Sequence, residues 1–325
     1  MNAYRKSSCF AAAAICLAMI VPSQVSAQAP TGPSSTLAPG VLVGGADFPS
    51  SAWIADDVGR VAAINLDNGA MNWRGPAEGL PLALVDGKLV VLGRPERSGQ
   101  MSLLLLDPAS GSSVGTLLGQ LPEGVLASPY AQPNRIFKAV ADNSTGTLRV
   151  FWTYSEWPLR GALLVNDATP DAGRRELNGV MTVDFPAHTL KLSSTAGAPA
   201  NVAADLTGNE RVPGVEGTQF RSADGTYALA ASPVDDDVLG TAWRWTLHER
   251  GSARTVAQLQ LPYSHAPFLV RANRLFWQSP PIAMRQASGE YLQQSLRLVC
   301  QDLTSGRELW SVNLLDQKFR GVLPP

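Results

Sequence analysis

From Gly40 onward, runs of Val, Leu, Ile, Ala and aromatic residues alternate with Gly, Asp, Asn and Pro, and the apolar runs are five to nine residues long. Runs of that length bounded by turn residues predict strands rather than helices. The clearest case is Leu82-Ala83-Leu84-Val85, then Asp86-Gly87, then Lys88-Leu89-Val90-Val91. A two-residue hairpin turn needs positive φ at both central residues, which is why Asp-Gly is favoured there. Only 282–294 also reads as a helix. The pattern predicts an all-β fold.

The breaks recur. Pro133-Asn134, Asn178-Gly179, Asp224-Gly225 and Ala272-Asn273 follow Asp86-Gly87 at intervals of 47, 45, 46 and 48 residues. A fixed period in this range marks a repeat architecture, and four-stranded units of roughly 40–50 residues mean a β-propeller. Six blades fit, at 40–76, 77–120, 121–168, 169–215, 216–262 and 263–316. Blade four is the least regular, which leaves seven open. The tail Phe319-Arg320-Gly321-Val322-Leu323 is expected to pair into the first blade and close the ring. Similar turns can be laid along a β-sandwich, but a second signal favours the propeller.

That signal is a repeated motif ending on tryptophan. Cys300-Gln301-Asp302-Leu303-Thr304-Ser305-Gly306-Arg307-Glu308-Leu309-Trp310 reads as strand, tight turn, strand. Ala63-Ile64-Asn65-Leu66-Asp67-Asn68-Gly69-Ala70-Met71-Asn72-Trp73 repeats it. A weaker copy runs from Leu105 through Asp107 and Gly111, with Gly115 in place of the tryptophan. These stretches resemble the tryptophan-docking repeat of quinoprotein-like (PQQ-like) β-propellers. The resemblance implies that Gly69 and Gly306 form the turn between the outer two strands, and that Trp73 and Trp310 pack between blades. The family holds quinone-dependent dehydrogenases and also non-catalytic scaffolds, so the fold alone assigns no function.

The first residues set an expected compartment. Arg5 and Lys6 precede an apolar run from Phe10 to Val21, and Val25-Ser26-Ala27 supplies small residues for cleavage. This is the pattern of a secretory signal peptide, residues 1–27, which places the protein in the periplasm or outside the cell. The run is too short for the ~20 residues of a spanning helix, and no later run reaches that length, so no transmembrane segment is expected after cleavage. Residues 28–39, rich in Pro, Ser, Thr and Gly, read as a flexible leader before a single propeller domain over 40–325. Cleavage removes Cys9 and Cys16, leaving Cys300 and no intramolecular disulfide. It also leaves 24 basic against 27 acidic side chains, a net charge near −3 with no basic block. Nucleic-acid binding therefore gains no support.

Candidate chemistry is sparse. Quinone-dependent dehydrogenases that the repeat resembles are much longer, commonly carry a vicinal cysteine pair, and bind calcium. Asp235-Asp236-Asp237 is the one acidic run, and it lacks the Asp-x-Asp-x-Asp spacing of a calcium loop. It reads as a turn, as does Asp56-Asp57. His188, His248 and His265 have no metal-ligand neighbour at short spacing. His248 is expected at a surface or edge, and His265 toward the central channel. No nucleophile elbow or phosphate loop occurs. Neither a catalytic residue, a cofactor nor a metal is assigned. Trp152, Tyr154, Trp157 and Trp277 stand as a candidate contact rim, since Trp and Tyr concentrate at binding hot spots, with blade packing as the alternative. The reading is an exported protein-binding or scaffolding propeller whose partner is another envelope protein. The competing reading is a small enzyme, or a cofactor- or sugar-binding propeller, using the central channel.

Overall fold

The computed structural model describes residues 34–93, 100–122, 136–142, 148–156, 175–184, 189–193, 219–236, 240–250, 254–285 and 291–315. Expectations for the signal peptide, the tail at 319–323 and the Pro133-Asn134 turn lie outside the described residues. These residues hold strands and turns and no helix.

Every sheet is an antiparallel meander. Sheet one is Ser35–Ala38 (β1), Val41–Val43 (β2), Ser51–Ala55 (β3), Arg60–Asn65 (β4) and Met71–Glu78 (β5). Sheet two is Leu80–Val85 (β6), Lys88–Leu92 (β7), Gln100–Leu106 (β8) and Ser113–Gln120 (β9). Sheet three is Ile136–Asp142 (β10), Leu148–Glu156 (β11), Arg175–Asp184 (β12) and Thr189–Ser193 (β13). Sheet four is Gln219–Arg221 (β14), Tyr227–Asp236 (β15), Gly240–Glu249 (β16) and Thr255–Leu261 (β17). In sheet five, Phe268–Arg271 (β18) and Arg274–Ser279 (β19) are followed by a separate hairpin, Ile282–Arg285 (β20) and Tyr291–Gln294 (β21), before Arg297–Asp302 (β22) and Glu308–Asn313 (β23) complete the sheet.

Sheets one and two, two and three, and four and five pack face to face, and the last packs on the first. Leu42 and Trp53 of sheet one meet Leu89 and Val91 of sheet two. Val90 and Met101 of sheet two meet Val150, Trp152 and Met181 of sheet three. Trp245 and Leu247 of sheet four meet Phe268, Trp277 and Val299 of sheet five. Ile54 and Ile64 of sheet one then meet Leu269, Phe276, Leu298 and Cys300 of sheet five. That last contact turns a row of sheets back on itself, and the arrangement is a β-propeller. Burial on both faces is why inner strands of sheets one, two and five, such as β4, β7 and β22, carry continuous apolar runs instead of strict alternation.

Hydrogen bonds also cross the first–last seam. Leu314 bridges Asp56, and Leu315 N–H donates to Ala55 O at 3.0 Å. Arg271 donates to Gly44 O at 2.9 Å and Pro49 O at 3.0 Å, and Arg274 to Asp67 O at 2.8 Å and Leu66 O at 3.2 Å.

Four features differ from the sequence pattern. The leader was expected to be flexible through residue 39, yet its end is β1, because Leu37 and Ala38 are buried and Leu84 N–H donates to Ser34 Oγ at 3.3 Å. The expected boundary at 168/169 falls between β11 and β12, which pair from Leu148↔Val183 to Glu156↔Arg175 in one sheet. The described residues thus contain five four-stranded units, counting β2–β5 of sheet one. Asn178-Gly179 is not a turn but mid-strand in β12, opposite Thr153 and Trp152. The Trp152 ring lies over Gly179, where a Cβ would stand within 2.3 Å of it, so the glycine serves a close approach. Residues 282–285 and 291–294 form the β20–β21 hairpin, not a helix.

Candidate functional site

The two ends of the barrel of sheets are built differently. One end carries the turns between outer strands. Gly69, Gly111 and Gly306 have φ of 72°, 73° and 68°, a region that costs an L-residue and suits glycine. Their N–H groups donate back to Asn65, Asp107 and Asp302 carbonyls at 2.8, 2.8 and 2.9 Å. Asp302 Oδ1 accepts from Ser305 N–H at 2.7 Å and from its hydroxyl at 2.8 Å, and Asp107 Oδ1 does the same with Ser110. These bonds hold both carboxyls below the usual range. Past the turn, pairing slips by one residue: Leu105 faces Gly115 but Leu106 faces Ser113, and Cys300 faces Trp310 but Gln301 faces Glu308. Ala63↔Trp73 with Ile64↔Met71, and Leu247↔Ala257 with His248↔Thr255, show the same bulge. A bulge re-aims the side chain that follows it, and here that is the tryptophan position.

Trp73 reaches from sheet one to Gly111 of sheet two, where a Cβ would come within 2.6 Å of the indole. Trp310 reaches from sheet five to Gly69 of sheet one, with the corresponding distance 2.7 Å. In sheet four the equivalent position is Ala257, and Gly306 meets only Leu259, at 3.6 Å. Trp53 and Trp73 both donate to Pro108 O, at 3.0 and 3.1 Å. The matching carbonyl at the first–last seam, Leu66 O, accepts from Arg274 instead, and Trp310 Nε1 has no acceptor.

The other end carries the β17–β18 connection and the β20–β21 hairpin. In the connection, Ser264 Oγ lies 2.9 Å from His265 Nδ1, and the exposed His265 ring stacks on Phe220 at 4.6 Å and 9°. Tyr263 packs on Trp277 with ring centroids 6.1 Å apart, and Trp245 Nε1 donates to Tyr263 O at 2.7 Å. Burial pushes the Tyr263 hydroxyl pKa up, with Ser279 and the Arg297 charge opposing it. Gln294, at the hairpin's exit, donates to Ser279 Oγ at 2.9 Å. Tyr263, Ser279, Gln294 and Arg297 are far apart in the chain and carry no motif, so nothing in the sequence singles them out.

The sequence-derived candidates distribute as follows. Trp152, Tyr154 and Trp277 do not form an exposed rim: they are 2%, 0% and 5% exposed. Each lies on a strand with neighbours on both edges, facing an adjoining sheet. Trp157, His188 and Asp237 lie outside the described residues. His248 is buried, contrary to the surface expectation, and β16 is an inner strand flanked by β15 and β17, contrary to the edge expectation. Asp56 is buried and tied to Arg74 Nε at 2.7 Å, with Oδ1 accepting from Val58 and Arg60 N–H groups. Cys300 is buried between sheets one and five, and burial pushes its thiol up to about 12. Among the described residues, no three or more His, Cys, Asp or Glu side chains are grouped to hold a metal, and no helix is long and apolar enough to cross a membrane.

No family model matches the chain, and no curated protein does. Among solved structures, BamB from Moraxella catarrhalis is 13% identical at a TM-score of 0.25, with 72% of this chain and 77% of that one covered. The uncharacterized protein lmo1340 from Listeria monocytogenes is 8% identical at 0.29, with 89% and 87% covered. The quinohemoprotein alcohol dehydrogenase ADHIIG from Pseudomonas putida is 11% identical at 0.25, and this chain covers 58% of its length. These TM-scores are low, and the architecture rests on the strand pairing and seams described above.

Proposed function

We propose that this chain is an exported propeller of the tryptophan-docking, PQQ-like kind, acting in the periplasm as a scaffold for another envelope protein. The observation that carries this reading is the β20–β21 hairpin. It interrupts sheet five between β19 and β22 and, among the described residues, forms a two-stranded sheet of its own. Insertions into a repeat gather on one face, often the binding face. The edges of a two-stranded ribbon also offer unpaired backbone groups to an incoming strand. The motif residues elsewhere are occupied: Gly69, Gly111 and Gly306 in turns, Trp73 and Trp310 in seams, and Cys300 in the core.

The test replaces residues 281–295 with an Asn-Gly turn joining β19 to β22. The expected result is an unchanged thermal melt and loss of the envelope protein that cross-links to wild type in intact cells. Retained cross-linking would overturn the role of the hairpin. Stoichiometric binding of pyrroloquinoline quinone with calcium, with dye-linked turnover, would replace the scaffold reading with an enzyme.

A further inference from the structure

Beneath the hairpin, two buried donors lack an acceptor: Trp277 Nε1 and Arg297 Nε. Alternate residues of a strand share a face, so Trp277 and Ser279 lie on one side of β19. Arg297 stands directly opposite Ser279 on β22, on that same side. The side faces sheet four, where Trp277 and Val299 meet Trp245 and Leu247. Arg297 spends Nη1 on Ser311 Oγ at 3.2 Å and, at 3.6 Å, on the exposed Glu308 carboxylate, leaving the inner N–H.

Tyr263 closes the group from the β17–β18 connection. Its hydroxyl reaches Pro280 O only at 3.5 Å, the limit of a hydrogen bond. Burial pushes the phenol's pKa up, with the Ser279 hydrogen bond and the Arg297 charge opposing it. Ser279, 1% exposed, already accepts from Gln294. What Trp277 and Arg297 still offer is in each case a proton, while Tyr263 packs on the Trp277 ring beside them. Buried donors without acceptors are rare in folded proteins, and each calls for an explanation.

We propose that this end of the fourth–fifth seam binds a carboxylate, supplied by an aspartate or glutamate side chain of the partner protein. The identity of the donor of that carboxylate rests on the scaffold reading; the anion site itself does not. A carboxylate has about four lone-pair positions on two oxygens, enough to accept from an indole and a guanidinium together. Its bonds to Arg297 are charge-assisted, and those are the strong ones. The site lies at the base of the inserted hairpin, so a strand paired on that hairpin would run beside it, and entry of its carboxylate requires the side chains over Trp277 and Arg297 to part.

The probe is blocked hexaglutamate, with hexaglutamine and free glutarate as comparisons, titrated into the 15N-labelled mature protein. The readout is the indole N–H resonance of Trp277, assigned with Trp277→Phe, which keeps the ring packing and removes the donor. The expected result is a saturable shift of that resonance with hexaglutamate and none with hexaglutamine. Arg297→Lys should weaken binding by about tenfold or more, the loss of a directed charge-assisted bond. Glutarate binding as tightly as hexaglutamate would make a free small acid, not a partner side chain, the ligand and overturn that part of the proposal. An unmoved Trp277 resonance, including one that exchanges only with trapped water, overturns the site. So does an equal shift with hexaglutamine. If Arg297→Lys does not fold, wild type titrated with glutarate and with glutaramide decides, since only the acid should shift Trp277. The two readings fail separately. Cross-linking of the partner undiminished in Trp277→Phe removes the carboxylate site and leaves the scaffold. A hexaglutamate shift with no envelope protein cross-linked leaves the site and removes the scaffold.

Discussion

The indole of Trp310, on the last described strand, lies against Gly69 in the first sheet, so close that an added Cβ would stand 2.7 Å from Cγ and Cδ2. The pair is 241 residues apart in sequence, and it joins the two ends of the row of sheets. Gly69→Ala would combine a left-handed backbone, φ 72°, with overpacking against the ring. The expected cost is about 2–4 kcal/mol, read by urea denaturation. A loss below about 1 kcal/mol would mean that the ring relaxes away from Gly69 freely.

Gly111 and Gly306 separate the two contributions. Both have φ near 70°. A Cβ at Gly111 meets the Trp73 indole at 2.6 Å, while one at Gly306 meets only Leu259 at 3.6 Å. Gly111→Ala is therefore expected to cost about 1–3 kcal/mol more than Gly306→Ala. Equal losses would show that backbone strain, not tryptophan docking, governs these turns.

Two arginines of sheet five hold carbonyls of sheet one. Arg274→Met removes the bonds to Leu66 O and Asp67 O, and is expected to cost about 1–3 kcal/mol, as hydrogen bonds from charged donors do. Amide exchange should rise at the first–last seam before it rises at the first–second seam, where Pro108 O keeps its two indole donors. Uniform exchange across both seams would refute a specific clasp.

Asp107 and Asp302 report on acid stability. Each carboxyl is held below its ordinary value of 3.8: Asp302 first by the Ser305 N–H and then by its hydroxyl, and Asp107 first by the Ser110 hydroxyl and then by its N–H. A folded-state pKa depressed below the unfolded one contributes stability above the unfolded value, and that contribution is lost as pH falls. The melting temperature should therefore drop below about pH 4, and the drop should be shallower in the Asp107→Asn, Asp302→Asn double variant. An identical acid limb in both proteins would assign the effect to other groups.

Cys300 gives the opposite limb. Burial raises its thiol from the ordinary 9.0 to about 12. The neutral form is favoured in the fold, so its contribution is complete below pH 9.0 and declines as pH rises toward 12. Cys300→Ala should lessen alkaline destabilisation in that window. At pH 8, Ellman's reagent should react with Cys300 only at the rate of unfolding; prompt reaction in the native protein would contradict the burial.

The sequence by itself determined what is local. Asp86-Gly87 and Ala272-Asn273 are turns with positive φ at both residues, and Gly69 and Gly306 are turns between outer strands. The apolar runs are strands, and the motif's spacing fixes a turn and a bulge because backbone geometry and hydrogen bonding act over a few residues. Only the tertiary structure decided what depends on a neighbouring sheet. Asn178-Gly179 has the composition of a turn, yet Trp152 makes it a strand by covering Gly179. Trp152, Tyr154 and Trp277 have the composition of a contact surface, yet they are buried because each faces an adjoining sheet. The group of Tyr263, Trp277, Ser279 and Arg297 had no signature at all. Its members come from a connection and two strands, and the antiparallel register that sets Ser279 beside Arg297 exists only once the sheet has formed.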